Sequence, residues 1–304
     1  MRKVIITGGT GFIGNALAHR LLKKGYEVIG VSRDPFNKKS ADKQMRYIPW
    51  DELRFEVERA EAVINLAGAP LMVFPFNSAN KKSIIESRLM AGEAVAFALK
   101  KAEIKPKVLI QASAIGYYGS RGNENLDESS PGGQGFLAEL CRRWEDTTAQ
   151  AERLGVRRCV IRTGIVLGHG GFLNAMSLPF KFFAGGAIGT GKQYHSWIHI
   201  KDEIHAIIHL IENKNTSGVY NLTAPEPVTN AEFTKTLGKV LGRPSFFRKP
   251  EFLIKLFAGE LAKEVLLSGQ KVYPKRISES GFKFGFPSLE AALREIYGKG
   301  KKDS

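Results

Sequence analysis

Only two of the 304 residues are cysteine, Cys141 and Cys159. Their separation fits neither a thiolate-metal set nor a redox pair, so a disulfide-stapled domain is excluded. Both are expected as reduced core residues of a cytoplasmic protein. No apolar run approaches about 18 residues, which excludes a membrane span. The first residues, Met1 to Gly9, hold an apolar run too short for a secretory signal. Repeats and low-complexity linkers are absent. Acidic residues are scarce relative to basic ones, 30 against 45, giving a net charge of +15. Yet the cations are scattered, with no long run except Gly-Lys-Gly-Lys-Lys, residues 298–302, at the end. No nucleic-acid motif accompanies them, so nucleic acid is an unlikely partner and an anionic small ligand a better one. His205 and His209 stand at zinc-ligand spacing, but Ala206-Ile207-Ile208 lies between them and no further ligand completes a set; no metal is expected.

What is present is a run from Val4 to Gly14, Val-Ile-Ile-Thr-Gly-Gly-Thr-Gly-Phe-Ile-Gly. A short apolar stretch leads into Gly8, Gly11 and Gly14, and an amphipathic segment from Phe12 to Lys24 follows. This is the sequence form of a strand, a tight turn and a helix N-terminus that hold a dinucleotide. Glycine lets backbone approach the pyrophosphate, and the helix start supplies unpaired N–H groups and a positive dipole end. Gly8, Gly11, Phe12, Ile13 and Gly14 are expected to line it. The second strand ends Val31-Ser32-Arg33-Asp34. Arg33 offers a fork for a ribose 2′-phosphate and Ser32 a hydroxyl, which favours NADP(H) over NAD(H). Asp34, about twenty residues past the glycines, is the competing NAD signal.

Strand and helix signals alternate through the first two-thirds. Strands are expected at Lys3–Thr7, Glu27–Ser32, Met45–Pro49, Ala62–Leu66, Val108–Ala112 and Val156–Arg162. Helices are expected at Phe12–Lys24, Asp51–Arg59, Lys81–Lys101 and Phe136–Leu154. Such alternation predicts an α/β fold: a doubly wound, Rossmann-like parallel sheet with ligands at the carboxyl ends of its strands. The remainder reads as a glycine-rich loop at Gly185–Gly191, strands at Ser196–Ile200 and Val219–Thr223, and helices at Asp202–Glu212, Asn230–Leu241, Glu251–Phe257 and Leu289–Ile296. The expected division is a dinucleotide domain over residues 1–168 and a smaller substrate lobe over 169–304, with elements exchanged between them.

Several blocks carry a family resemblance: Thr7–Gly14, Asn65–Gly68, Ser87-Arg88, Ala114–Gly119, Arg162–Gly168, Trp197–Asp202, Asn221–Pro225 and Gly269–Arg276. Together they resemble the extended short-chain dehydrogenase/reductase superfamily, nucleotide-sugar epimerase type, and within it a subfamily of epimerase-like proteins. The resemblance implies that Leu66, Ala67 and Gly68 run beside the adenine ribose, that Arg88 faces the cofactor, and that Val166 approaches the nicotinamide end. It also leaves room for a homodimer or a protein partner.

The superfamily's Tyr-x-x-x-Lys pair exchanges a proton as hydride moves, the Lys tuning the Tyr. Its matching positions here are Phe136 and Leu140, which can do neither. The one literal Tyr-x-x-x-Lys, Tyr297 and Lys301, stands in the tail away from every motif. The usual serine falls on Ala114, one place after Ser113. Ser113 and Tyr117 are the remaining polar candidates, with Tyr117 and Arg121 at the right spacing but in a loop; Tyr117 and Tyr118 also read as packing aromatics. His199 reads either as a substrate contact or as a buried hydrogen-bonded histidine. Two functions remain open: an oxidoreductase or epimerase acting on a carbinol or carbonyl carbon of a small molecule, with a nucleotide-sugar-like compound among the candidates, and an NADP(H)-binding regulatory protein with little catalysis.

Overall fold

Every residue from Val4 to Thr7 is buried, and the same holds for Val28–Val31 and Ala62–Asn65. Runs without polar alternation mark strands covered on both faces. The computed structural model describes residues 2–35, 45–71, 73, 76–248 and 267–298. Its strands are β1 (Arg2–Thr7), β2 (Tyr26–Val31), β3 (Arg46–Ile48), β4 (Ala62–Asn65), β5 (Val108–Ala114), β6 (Asn125–Leu126), β7 (Arg157–Thr163), β8 (Ile165–Leu167), β9 (Tyr194–His195), β10 (Trp197–His199), β11 (Gly218–Leu222), β12 (Val228–Thr229) and β13 (Lys271–Val272). Seven form one parallel sheet in the order β11-β7-β5-β4-β1-β2-β3. The expected doubly wound sheet is thus present. β1 lies between β4 and β2, so strand order reverses there and the crevice opens beyond Thr7.

Alternate residues of each strand feed two cores. Val4 and Ile6 face α1 (Phe12–Lys23) and α7 (Ile200–Glu212), packing with Leu17, Leu21, Ile204 and Ile207. Ile5 and Val63 face the other way, with Val95 and Leu99 of α3 (Ser78–Lys101). The chain after residue 168 contributes to both lobes: β11 completes the main sheet, and α7 packs on α1. The rest builds a smaller cluster in which Leu173 and Phe180 of α6 (Gly171–Lys181), Trp197, Phe233 and Leu237 of α8 (Asn230–Leu241), and Leu289 and Leu293 of the C-terminal helix Leu289–Tyr297 are buried together.

Element boundaries differ from expectation where side chains intervene. The expected helix Phe136–Leu154 is two, α4 (Phe136–Asp146) and α5 (Gln150–Arg153). The break carries Thr147, whose hydroxyl donates to the Trp144 carbonyl at 2.7 Å, and Thr148, whose hydroxyl turns to Gln111 at 3.1 Å; hydroxyls close to the backbone compete with helix bonds. The segment expected as a helix over Asp51–Arg59 is a 3₁₀ turn, Trp50–Glu52, and a single α turn, α2 (Leu53–Glu56), ended by Arg59 at φ 56°. α3 starts three residues early because Asn77 caps it, accepting from the Asn80 N–H at 2.9 Å. The expected strand Ser196–Ile200 is Trp197–His199, with Ile200 already in α7. Helix α6 and the short helix Lys275–Glu279 were not expected; Pro179 and two glycines hide the first. The expected helix Glu251–Phe257 lies outside the described residues.

Candidate functional site

At two positions after β1, Gly8 and Gly14, nothing but glycine fits. Gly8 has φ +72°, and a Cβ there would lie 2.8 Å from the Leu66 carbonyl carbon and oxygen. A Cβ on Gly14 would stand 2.3 Å from the Gly8 oxygen. The turn closes through the Gly11 N–H to the Gly8 carbonyl at 2.9 Å. α1 then starts at Phe12 with no side-chain cap and no acid in its first turn. Its leading N–H groups, those of Phe12, Ile13 and Gly14, have no intrahelical acceptor. A positive, uncapped helix end above a glycine cradle fits a pyrophosphate.

Beside this cradle, Ser32 is buried and Arg33 exposed at the end of β2. The Ser32 hydroxyl accepts the Asp34 N–H at 3.2 Å, and the Ser32 N–H donates to Ile48 at 2.9 Å, so the turn that presents Arg33 is fixed. On the other side, the loop Leu66–Ala69 is gripped from two directions. Thr7 Oγ1 accepts the Ala67 N–H at 3.3 Å and donates to Asn65 Oδ1 at 2.6 Å. Asn65 in turn donates to Gln111 Oε1 at 2.9 Å, which also accepts from Thr148. Arg88 of α3 donates to the carbonyls of Ala69 and Ile84, at 3.0 Å each, with its guanidinium 5.0 Å from the Trp144 ring. A Cβ on Gly68 would come within 3.0 Å of the Arg88 Cζ. Arg88 therefore shapes the loop that passes the crevice. Val166 is half-buried on β8 and packs against the α1–α7 core.

At the end of β5 the structure reveals a buried network that sequence reasoning did not find. Ser113 donates to Glu145 Oε1 at 2.6 Å. Glu145, from α4, receives Arg162 Nε and Nη2 at 2.9 Å each, a bidentate pair. Arg162 Nη1 donates to the Tyr118 hydroxyl at 3.2 Å, which donates to Asn221 Oδ1 at 2.7 Å. Burial pushes the Tyr118 phenol up to about 12, so it stays neutral. Tyr117 is half-buried, with the Arg162 guanidinium 3.3 Å from its ring centroid. A Cβ on Gly132 would lie 3.2 Å from both the Tyr117 hydroxyl and Arg142 Nη1, so the two share one corner. Arg121 is taken up by Glu124 at 2.7 Å. Leu140 is buried, and Phe136 meets Phe76 edge-on at 5.8 Å, with the Lys81 ammonium 5.3 Å from the Phe76 ring and 5.6 Å from the Phe136 ring. The only available signal for Glu145 was a charge on an otherwise apolar stripe with Leu140, Cys141 and Trp144.

Of the remaining candidates, His199 is buried, with Nε2 2.8 Å from Glu295. His209 bonds Ser280 at 2.9 Å. Cys141 and Cys159 are free and buried. Lys301 lies outside the described residues.

Glu203, on α7, was also missed. It is fully buried, one oxygen accepting from Thr163 at 2.9 Å and the other without a partner among the described residues. Burial raises its pKa from 4.5 to about 8. The folded chain thus holds a proton that the unfolded chain releases. That stabilisation is full below about pH 4.5 and lost as pH rises to about 8, at most about 1.4 kcal/mol per pH unit. Glu203→Gln is expected to flatten this fall and to raise Tm above pH 8; an unchanged slope between pH 5 and 8 in a thermal-melt series would refute it.

Comparison with known proteins agrees with this architecture. Residues 4–223 match the NAD dependent epimerase/dehydratase family, and residues 250–296 a domain of unknown function, DUF1731. An Arabidopsis thaliana protein, "Epimerase family protein SDR39U1 homolog, chloroplastic", is 40% identical over 96% of this chain and 86% of its own length. The Bos taurus epimerase family protein SDR39U1 is 37% identical over 97% and 99%. The crystal structure of human SDR39U1 (isoform 2) with NADPH superposes with a TM-score of 0.89 at 37% identity, covering 98% of this chain and 99% of that one. Among the described residues no helix is long and apolar enough to cross a membrane. The chain belongs to the NAD dependent epimerase/dehydratase family.

Proposed function

We propose that this protein binds NADP(H) and acts as an oxidoreductase or epimerase on a carbinol or carbonyl carbon of a small molecule. The cradle at Gly8 and Gly14 below an uncapped α1 carries the reading, and the NADPH-containing human relative supports it. Gly8, Gly11, Phe12, Ile13 and Gly14 hold the pyrophosphate. Arg33, with Ser32, takes the 2′-phosphate and makes NADP(H) preferred to NAD(H). Leu66, Ala67 and Gly68, set in place by Arg88, pass the adenine ribose, and Val166 faces the nicotinamide end. When bound, the cofactor supplies a hydride at its nicotinamide C4. Tyr117 exchanges the accompanying proton with the substrate oxygen, with Arg162 against its ring and Arg142 at the same corner. Ser113, donating to Glu145, orients Arg162 below Tyr117.

A second reading, an NADP(H)-binding regulatory protein, is favoured by Phe136 and Leu140 at the expected proton-transfer positions and by the engagement of Ser113 with Glu145. Reduction of any carbonyl probe with NADPH decides for the enzyme. The cofactor assignment is tested by calorimetric titration of wild type and Arg33→Asp with NADPH and NADH. Losing a charge-assisted contact worth roughly 1.5–3 kcal/mol weakens NADPH by about 10- to 150-fold. NADH affinity is expected to hold. Equal weakening of both, or no NADPH binding by the wild type, would overturn it.

A further inference from the structure

We propose that the end of α6 and the segment after α8 form a surface that docks on an anionic phospholipid bilayer. α6 turns Leu173, Ser177 and Phe180 into the core, yet its outer side and its end stay apolar. Leu178, Phe182, Phe183, Phe246 and Phe247 are between 51% and 74% exposed. Backbone pairing makes these five one patch. The Phe247 N–H donates to the Gly185 carbonyl at 3.1 Å, and Phe246 bridges antiparallel to Gly186. The rings of Phe246 and Phe247 lie 4.6 Å apart, and the Arg243 guanidinium stands 4.5 Å from the Phe183 ring centroid. Single exposed apolar side chains are ordinary on a protein surface; a contiguous group of large ones marks a place where something docks.

The backbone holds the patch outward. Phe183 sits at φ 58°, a left-handed conformation that a bulky side chain rarely adopts. The turn around it is closed by the Phe183 N–H to the Phe180 carbonyl at 3.0 Å and by the Ala184 N–H to the Pro179 carbonyl at 2.9 Å. A Cβ on Gly186 would collide with the Phe247 carbonyl, so the two segments come this close because that residue is glycine. An exposed phenylalanine kept in a strained conformation points to a surface in use.

Charge selects the partner. Residues 168–201 and 233–250, which contain the whole patch, carry no Asp or Glu. Lys181 precedes Phe182, Arg243 lies on Phe183 and Arg248 follows Phe247; all three are exposed. Across α8, Glu290 of the C-terminal helix is taken up by Lys239 and Arg294, at 2.8 Å each. A second copy of this chain, meeting the patch about a two-fold axis, would set these cations against one another. A single-stranded nucleic acid would use the phenylalanines by stacking, but Leu178 has no ring face to offer a base. An anionic bilayer satisfies both features. Phe and Leu enter the boundary between headgroups and acyl chains, while Lys and Arg lay their stems on it and reach the phosphates.

The test is flotation of the full chain with phosphatidylcholine vesicles and with phosphatidylcholine–phosphatidylglycerol vesicles. Binding to the second kind is expected to be at least about ten-fold stronger and to weaken as salt rises. Phe182→Ser with Phe246→Ser is expected to lower it at least about ten-fold while Tm and NADPH affinity hold. Lys181→Glu with Arg243→Glu is expected to abolish the preference for phosphatidylglycerol, and serves if the first pair does not fold. A wild type that stays off both vesicles would overturn the proposal, as would binding that survives the two serine substitutions. The serine variant also exposes the rivals. A lowered Tm would mean that the rings are covered by the protein's own chain. A dimer lost in sedimentation velocity would mean a second copy. Affinity for oligo(dT) that falls in the variant, without vesicle binding by the wild type, would mean a nucleic acid. Each of these outcomes removes the bilayer.

Discussion

Gly14→Val is expected to cost roughly 1–3 kcal/mol of stability and to weaken NADPH by up to about 100-fold. The added Cβ would lie 2.3 Å from the Gly8 oxygen, 2.9 Å from the Gly9 Cα and 3.0 Å from the Gly8 carbonyl carbon. All three are backbone atoms of the turn itself. A flexible side chain can swing away from such a clash, but this turn can relieve it only by lifting off the helix end. That movement displaces the Phe12, Ile13 and Gly14 N–H groups from the place proposed for the pyrophosphate. Affinity should therefore fall more than the melting temperature suggests. The measurement is a calorimetric titration with NADPH beside a thermal melt. A folded variant with wild-type NADPH affinity would remove the pyrophosphate assignment from this turn.

Glu145→Ala should be the most damaging single change in the buried network. It strips Arg162, 4% exposed, of both its carboxylate oxygens and leaves Ser113 without its acceptor. Removing one partner of a buried pair typically costs about 3–5 kcal/mol, because the remaining charge is desolvated and uncompensated. For a chain of 304 residues that corresponds to a fall in Tm of roughly 5–8 °C. The double variant Glu145→Leu, Arg162→Met removes both charges and should recover most of the loss, since an apolar pair of similar volume avoids the desolvation. Denaturant unfolding of the two variants beside wild type is decisive. A double variant no more stable than Glu145→Ala would mean that the pair holds the fold by more than its charge. The double variant should also lack any carbonyl reductase activity, because Tyr117 loses the guanidinium under its ring.

The division between what was legible in the chain and what was not follows the range of the interactions. The β1 strand, the glycine turn and α1 lie within Arg2–Lys23, and each part is specified by neighbours a few residues away. Gly8, Gly11 and Gly14 can be read because the constraint on them is local: a turn at positive φ and a helix packed on it. The parallel sheet was likewise written in unbroken apolar runs, since strands covered on both faces have no polar alternation to show. Arg33 could be placed because it follows β2 directly.

The sequence did not disclose the partners that meet only when the sheet assembles. Ser113, Glu145, Arg162, Tyr118 and Asn221 span 109 positions of the chain, and β5, α4, β7 and β11 bring them together. No spacing rule links Glu145 to Ser113, and whether a helix turns a glutamate inward depends on what lies beneath. His195, on β9, is enclosed by Phe172 and Phe233, and a histidine in sequence carries no sign of whether two phenylalanine rings will meet it. By itself the sequence determined the fold class, the dinucleotide turn and the family blocks, because those rest on backbone geometry that local residue types dictate. Only the tertiary structure decided which polar groups are buried and with whom, because burial and pairing are properties of the packed whole.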